Sequence, residues 1–203
     1  MSRTTFALLA ALVAAADVDF VSTWRAPGSE PLNFAGRKVA AVLVTDDTNL
    51  RVSTEEALAR EISARGSQGV AGYRILPKEL LADKTAAQAW FERAGIQGLV
   101  VLRIVHTDTT KVYSSAIWAS GYYNYAWDFW GESWASVYPL GKAREEKTLT
   151  VETLLYDLSK GAPIWAGVSR ATDPKDPQRY VKELAHEVVK LLDKDGLIRK
   201  GPR

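Results

Sequence analysis

The chain reads as a single α/β domain on a mixed β-sheet, in the order β-α-β-α-β-ββ-α, with helices packed on the sheet and an aromatic-rich insert before the last hairpin. Three observations predict this. Residues 38–45 and 98–107 are near-continuous apolar runs, the pattern of strands covered on both faces. Residues 148–157 and 164–172 alternate apolar and polar on either side of a turn, the pattern of a hairpin. Residues 181–192 carry an apolar stripe at helical spacing. At 203 residues the chain can fill one good core and is marginal for two.

Arg3 supplies a short positive n-region, Phe6–Val13 an apolar h-region, and Ala14, Ala15 and Ala16 the small residues of a cleavage site before Asp17. The run is too short to span a bilayer comfortably. Residues 1–16 are therefore expected to be a secretory signal peptide cleaved near Ala16, leaving a periplasmic protein; the alternative is a buried N-terminal helix. Cysteine is absent, which excludes disulfides, thiol catalysis, a cysteine metal site and a lipid anchor on Cys.

Residues 17–37 read as an irregular or edge-strand lead-in, broken by Trp24-Arg25-Ala26-Pro27-Gly28. The α/β domain then runs over 38–198, with 199–203 as a tail. Lys38–Thr45 is the first core strand and Asp46-Asp47-Thr48-Asn49 the loop after it. Ser53 is expected to open a helix, with Glu56 completing a capping box. Ala57, Leu58 and Ile62 form its stripe and Gly66 its stop. Val70–Leu76 is expected as a second strand, ended by Pro77. A second helix, capped by Asp83 or Thr85, turns Trp90, Phe91 and Ala94 inward and stops at Gly95.

Gly98–Thr107 is the third core strand, extending to Val112 in its longest reading. Two right-handed crossovers make these three strands parallel. Thr148–Asp157 and Ile164–Thr172 form the antiparallel hairpin, with Leu149, Val151, Thr153 and Leu155 on one face and a turn at Asp157–Gly161. Asp176 caps the last helix, Pro177 sits in its first turn, and Val181, Leu184, Ala185, Val188, Leu191 and Leu192 make its stripe before Gly196.

Between strand and hairpin, residues 113–138 hold half of the chain's aromatic side chains: Tyr113, Trp118, Tyr122, Tyr123, Tyr125, Trp127, Phe129, Trp130, Trp134 and Tyr138. The segment has no clean helical or strand period. One reading is a β-hairpin extension or flap packed on the sheet. A second is a surface for a protein or a glycan, since such surfaces favour Trp and Tyr. A third is insertion at a membrane interface. Trp118, Tyr122, Tyr123, Trp127, Trp130 and Trp134 are the candidate binding residues.

Catalytic signals are sparse. His106 next to Asp108 is the one pair suggesting a hydrolase, and no Gly-x-Ser-x-Gly elbow occurs. His186 lies just off the apolar stripe of the last helix. Asp46-Asp47 and Asp173/Asp176 lack calcium-loop spacing, and the first pair is expected to cap the next helix. Gly66-Ser67-Gln68-Gly69 follows a helix instead of a strand, unlike a phosphate loop. Arg103, odd in an apolar strand, is expected at a sheet edge or paired with Glu152. No cofactor and no metal site is expected. Net charge +2, and the lack of Lys or Arg between Lys111 and Lys142, argue against a nucleic-acid partner.

Several stretches resemble a group of uncharacterised, often lipidated, envelope proteins of Gram-negative bacteria. They are Ser22-Thr23-Trp24-Arg25-Ala26-Pro27, the Lys38–Thr45 strand, Gly98-Leu99-Val100-Val101, the aromatic insert, Leu154-Leu155-Tyr156-Asp157 with Lys160-Gly161 and Ile164-Trp165, and Asp195-Gly196-Leu197-Ile198. More remotely, the element order is similar to the N-terminal domain of TolB and to the envelope lipoproteins LpoB and CsgG. The resemblance implies a binding or assembly role in the envelope. The chain departs from the lipoprotein members in having no cysteine to lipidate. The expected function is a non-enzymatic periplasmic binding or assembly factor whose partner is an envelope protein or peptidoglycan glycan. The alternatives are an envelope hydrolase using His106 and Asp108, and a self-associating structural subunit.

Overall fold

The computed structural model describes residues 18–28, 33–108, 111–145, 148–172 and 175–198. The expected signal peptide 1–16, the tail 199–203 and Asp173 lie outside the described residues. The strands are β1 (Asp19–Arg25), β2 (Lys38–Val44), β3 (Gln68–Ala71), β4 (Gly98–Val105), β5 (Thr148–Asp157) and β6 (Ala162–Thr172). They form one sheet in the order β1-β6-β5-β4-β2-β3. β2 runs parallel to β3 and β4, while β5 and β6 join antiparallel, as the crossover and hairpin patterns predict. The helices are α1 (Thr48–Ala64), α2 (Lys84–Arg93), α3 (Ser115–Trp118), α4 (Ala126–Ala135), α5 (Leu140–Glu145) and α6 (Pro177–Lys194).

Alternate side chains of each strand point to opposite faces, and here both faces are covered. Val39, Ala41 and Leu43 of β2, with Val100, Leu102 and Ile104 of β4, pack under α1 and α6. Ala40, Val42 and Val44, with Leu99 and Val101, pack under α2 and the aromatic insert. Two-sided burial is why, apart from Lys38 at the start of β2 and Arg103 within β4, these strands have no polar positions to alternate with. Each large side chain so buried contributes about 1.5–3 kcal/mol.

Several elements differ from expectation. Helix α1 starts at Thr48 because the Asp47 carboxylate accepts from the Leu50 N–H at 2.9 Å. Ser53 lies inside the helix and donates to the Leu50 carbonyl instead of capping. β3 spans only Gln68–Ala71; the rest of the expected strand coils into a 3-10 turn, Gly72–Arg74. There the buried Glu55 of α1 accepts from the N–H groups of Leu43 and Tyr73, which locks the turn to β2. Burial pushes the Glu55 carboxyl above its usual range, and Arg51 opposes that rise. On α2 the fully inward residues are Ala87 and Phe91, with Trp90 and Ala94 half-buried. α5 had no counterpart in the sequence reading.

Residues 19–25 form an edge strand, paired antiparallel with β6. Its register slips between Phe20 and Ser22, so Val21 bulges out, 51% exposed. The bulge sends Phe20 to the α6 face, against Trp165, and Trp24 to the opposite one. At the far edge, β3 meets α1 so closely that only glycine fits at 69. A Cβ there would stand 2.0 Å from the Ala59 carbonyl oxygen. Gly69→Ala is therefore expected to cost about 1–3 kcal/mol or more by overpacking, read as a drop in urea midpoint. The control Gly141→Ala meets open space and is expected to be neutral or stabilising. Equal midpoints for the two variants would contradict this packing.

Candidate functional site

The insert is helical: no β-hairpin extension forms among the described residues, and of the first reading it is the flap packed on the sheet that the structure has. α3, a 3-10 turn at Gly121–Asn124, and α4 follow one another across the sheet. In α4, Ala126, Trp127, Phe129, Trp130 and Ser133 face inward. Asp128 lies in the first turn, where a negative charge suits the helix dipole, and pairs with Lys84 at 3.0 Å.

The candidate binding residues divide by burial. Trp118 is 0% exposed, stacked on Tyr113 with ring centroids 5.5 Å apart and edge-on to Tyr123 at 5.1 Å. Trp127 and Trp130 clasp the Phe91 ring edge-on at 5.7 and 5.3 Å. The Trp130 indole N–H donates to the Leu81 carbonyl at 2.8 Å. Tyr123 is also buried. Trp118, Tyr123 and Trp130 form no open contact surface, because α2 and the sheet together give them a closed apolar bed, and Trp127 keeps only a 5% exposed margin. Tyr122 and Trp134 are half-buried, each with an arginine over its face, Arg103 and Arg51 respectively. Tyr125, not one of the candidate binding residues, is the most exposed ring of the insert at 41%.

A buried charge fastens the insert to the sheet. Glu152 of β5 is 0% exposed, and its Oε1 accepts from Lys111 Nζ at 2.8 Å, Tyr123 OH at 2.6 Å and Tyr113 OH at 3.2 Å. Lys111 also donates to the Tyr123 hydroxyl at 2.9 Å. Burial, reinforced by the Glu152 charge, pushes the phenols of Tyr113, Tyr123 and Tyr156 up, so they stay protonated and donate. Arg103 stands directly opposite Glu152 in register, on a central strand. The expected pairing of the two is nevertheless absent among the described residues. Lys111 and the phenols converge on Oε1, leaving Oε2 without a hydrogen-bond partner among the described residues, while Arg103 donates to Ser136 Oγ at 2.8 Å and lies over Tyr122 and Phe129.

His106 and Asp108 are exposed beyond the end of β4, with the His106 ring 5.9 Å from that of Tyr138. His186 is exposed on α6, its Nδ1 3.1 Å from a Glu61 carboxylate oxygen. Asp47 holds the α1 cap and also accepts from Gln178 at 3.1 Å. None of these residues lines the clefts around α2 and the hairpin turn. Among the described residues, no three His, Cys, Asp or Glu side chains gather as a metal site.

An open cleft touches the insert. It has a volume of about 400 Å³ and lies between the turn after α2 and the β5–β6 turn. Trp127 and Ile96 form its apolar floor, and Glu92, Gln97 and Ser159 its polar rim. Two backbone bonds set its shape: Leu158 N–H to the Gln97 carbonyl at 3.0 Å, and Ala126 N–H to the Gly161 carbonyl at 2.8 Å. The second holds Tyr125 against Gly161, where a Cβ would stand inside the ring's contact distance. Gly161 also takes φ 66°, as the hairpin turn requires. Trp127 was legible as a candidate. Gln97 and Ser159 carry no sequence signal, because the turns that bring them together are far apart in the chain.

No family model matches the chain, and no curated protein matches it. Among solved structures, the chain is similar to the PelC dodecamer from Paraburkholderia phytofirmans, with 15% identity over 89% of this chain and 97% of that one and a TM-score of 0.44. A point variant of the same dodecamer gives 14% identity over 91% and 99%, with a TM-score of 0.43.

Proposed function

We propose that this chain is an exported, periplasmic protein of the bacterial cell envelope that binds without catalysing, and that it takes peptidoglycan glycan in the cleft floored by Trp127. The observation that carries the reading is the make-up of that cleft. The Trp127 indole, 5% exposed, lies beside exposed carboxylate, amide and hydroxyl groups in a cleft of about 400 Å³. The C–H face of a sugar ring is complementary to the negative face of an indole. Its hydroxyls need mixed donors and acceptors, which Glu92, Gln97 and Ser159 supply. The n-region, h-region and small-residue pattern of residues 1–16 supports export. The insert enters the reading through Trp127 and its neighbour Tyr125, and its other rings serve as packing.

Sedimentation with purified peptidoglycan sacculi tests this. The mature protein is expected to pellet with sacculi. The double variant Glu92→Ala/Gln97→Ala, which changes only exposed side chains, is expected to pellet about tenfold less or worse, since a neutral hydrogen bond such as that of Gln97 carries about 0.5–1.5 kcal/mol and one to the Glu92 carboxylate about 1.5–3 kcal/mol. Matching circular dichroism spectra exclude misfolding as the cause. A wild-type protein that stays in the supernatant, or a double variant that pellets equally, overturns the proposal.

A further inference from the structure

A second cleft of about 400 Å³ lies on the other side of the turn that follows α2. Ile96 lines both clefts. The second differs in chemistry. Its apolar walls are Ile75, Ile96 and the half-buried Trp90, and its charged groups are Lys38, Arg74 and Arg93. No acidic side chain lines it.

The cations are placed by the fold. Lys38 Nζ donates to the Ala94 carbonyl at 3.0 Å, which holds the ammonium at the rim. The Arg93 guanidinium lies over the Trp90 ring, 5.5 Å from its centroid. Among the described residues neither has a carboxylate at ion-pair distance. Arg74 is paired with Glu56 at 2.7 Å, and Glu56 belongs to the neighbouring groove between α1 and β3. Lys38 and Arg93 therefore bring charge to the cleft that no acid among the described residues neutralises. The volume is that of a small-molecule site, about 300–1,000 Å³.

We infer that this cleft binds one molecule of a small anionic amphiphile, with its carboxylate between Lys38 and Arg93 and its apolar body along Trp90, Ile75 and Ile96. The inference is separate from glycan binding, which uses the opposite side of the turn. The two charges select for an anion, and Trp90 with the isoleucines excludes a fully polar one.

Decanoate below its micelle concentration is the probe. Decanol and decylammonium have the same chain with neutral and positive heads. Binding is measured by calorimetry and by the indole N–H resonance of Trp90, assigned through Trp90→Phe. Decanoate is expected to bind one to one and to shift that resonance. Decanol is expected to bind about tenfold more weakly or worse, the factor carried by a charge-assisted hydrogen bond. Lys38→Ala/Arg93→Ala, both at exposed positions, is expected to lose decanoate binding by a similar factor with its melting curve unchanged. Equal binding of decylammonium, an unmoved Trp90 resonance, or undiminished binding by the double variant overturns the inference. So does sedimentation with phosphatidylglycerol vesicles in the absence of decanoate binding, which assigns the charges to a membrane surface.

Discussion

Trp130→Ala is expected to cost about 3–5 kcal/mol, the range for deleting a large buried aromatic side chain. The ring is 1% exposed and contacts Phe91, Trp127 and Trp134 at centroid distances of 5.3, 6.1 and 5.9 Å. Its N–H is the hydrogen-bond donor to the Leu81 carbonyl, so the loss adds an unmatched acceptor to a cavity. A domain holds only about 5–15 kcal/mol in total. The variant should therefore unfold at a much lower urea concentration, or lack a cooperative transition. Tyr125→Ala, at an exposed ring of the same insert, should stay close to the wild-type midpoint. If the two variants behaved alike, α4 would not be part of the core.

Glu152→Ala is the second large effect. Deleting one partner of a buried ion pair costs about 3–5 kcal/mol when the other charge stays buried. The Lys111 side chain is 29% exposed and can turn to water, so the lower end of that range applies. The phenols of Tyr113 and Tyr123 lose their acceptor in the same step. Glu152→Gln keeps an acceptor oxygen and should cost less. A double-mutant cycle with Lys111→Met should return a coupling of about 0.5–3 kcal/mol, and strict additivity would show that the pair does not hold the insert down.

The same cluster sets an alkaline limit. Tyr113 and Tyr123 have folded pKa values above those of the unfolded chain, in which phenols titrate near about 10. Above that pH the unfolded state releases protons that the folded state keeps, so stability falls as pH rises. Tyr113→Phe/Tyr123→Phe should flatten the decline above about pH 10.

The parts of the fold that were legible are those where one surface dictates the pattern. α6 presents a single stripe to the sheet, and β2 and β4 are apolar on both faces; each has one reading. β5 was read on one face only. Its other face carries Thr150 and Glu152, which look solvent-facing until Lys111 and the tyrosines of the insert cover them. The insert itself was opaque because its rings serve two surfaces, α2 and the sheet, through short pieces that each turn differently. Trp127 and Trp130 answer to Phe91, whereas Trp118 and Tyr123 answer to each other and to Tyr113. No one period fits both. At α1 the Ser53/Glu56 pair imitates a capping box and competes with Asp47; the loop leaving β2 brings Asp47 to the free N–H groups first. The polar rim of the Trp127 cleft comes from turns distant in sequence, which local patterns cannot join.

The pairing of β1 with β6 has a consequence for synthesis. Among the described elements β1 emerges first, yet its neighbour in the sheet is β6, the last strand, after which only α6 follows. A chain delivered from its N-terminus must carry Asp19–Arg25 unpaired until the C-terminal hairpin arrives. Closing so long a loop ranks among the slow steps of assembly. Until then Phe20, Val21 and Trp24 remain open to a chaperone, and in the finished protein this strand should be the first to exchange its amide hydrogens.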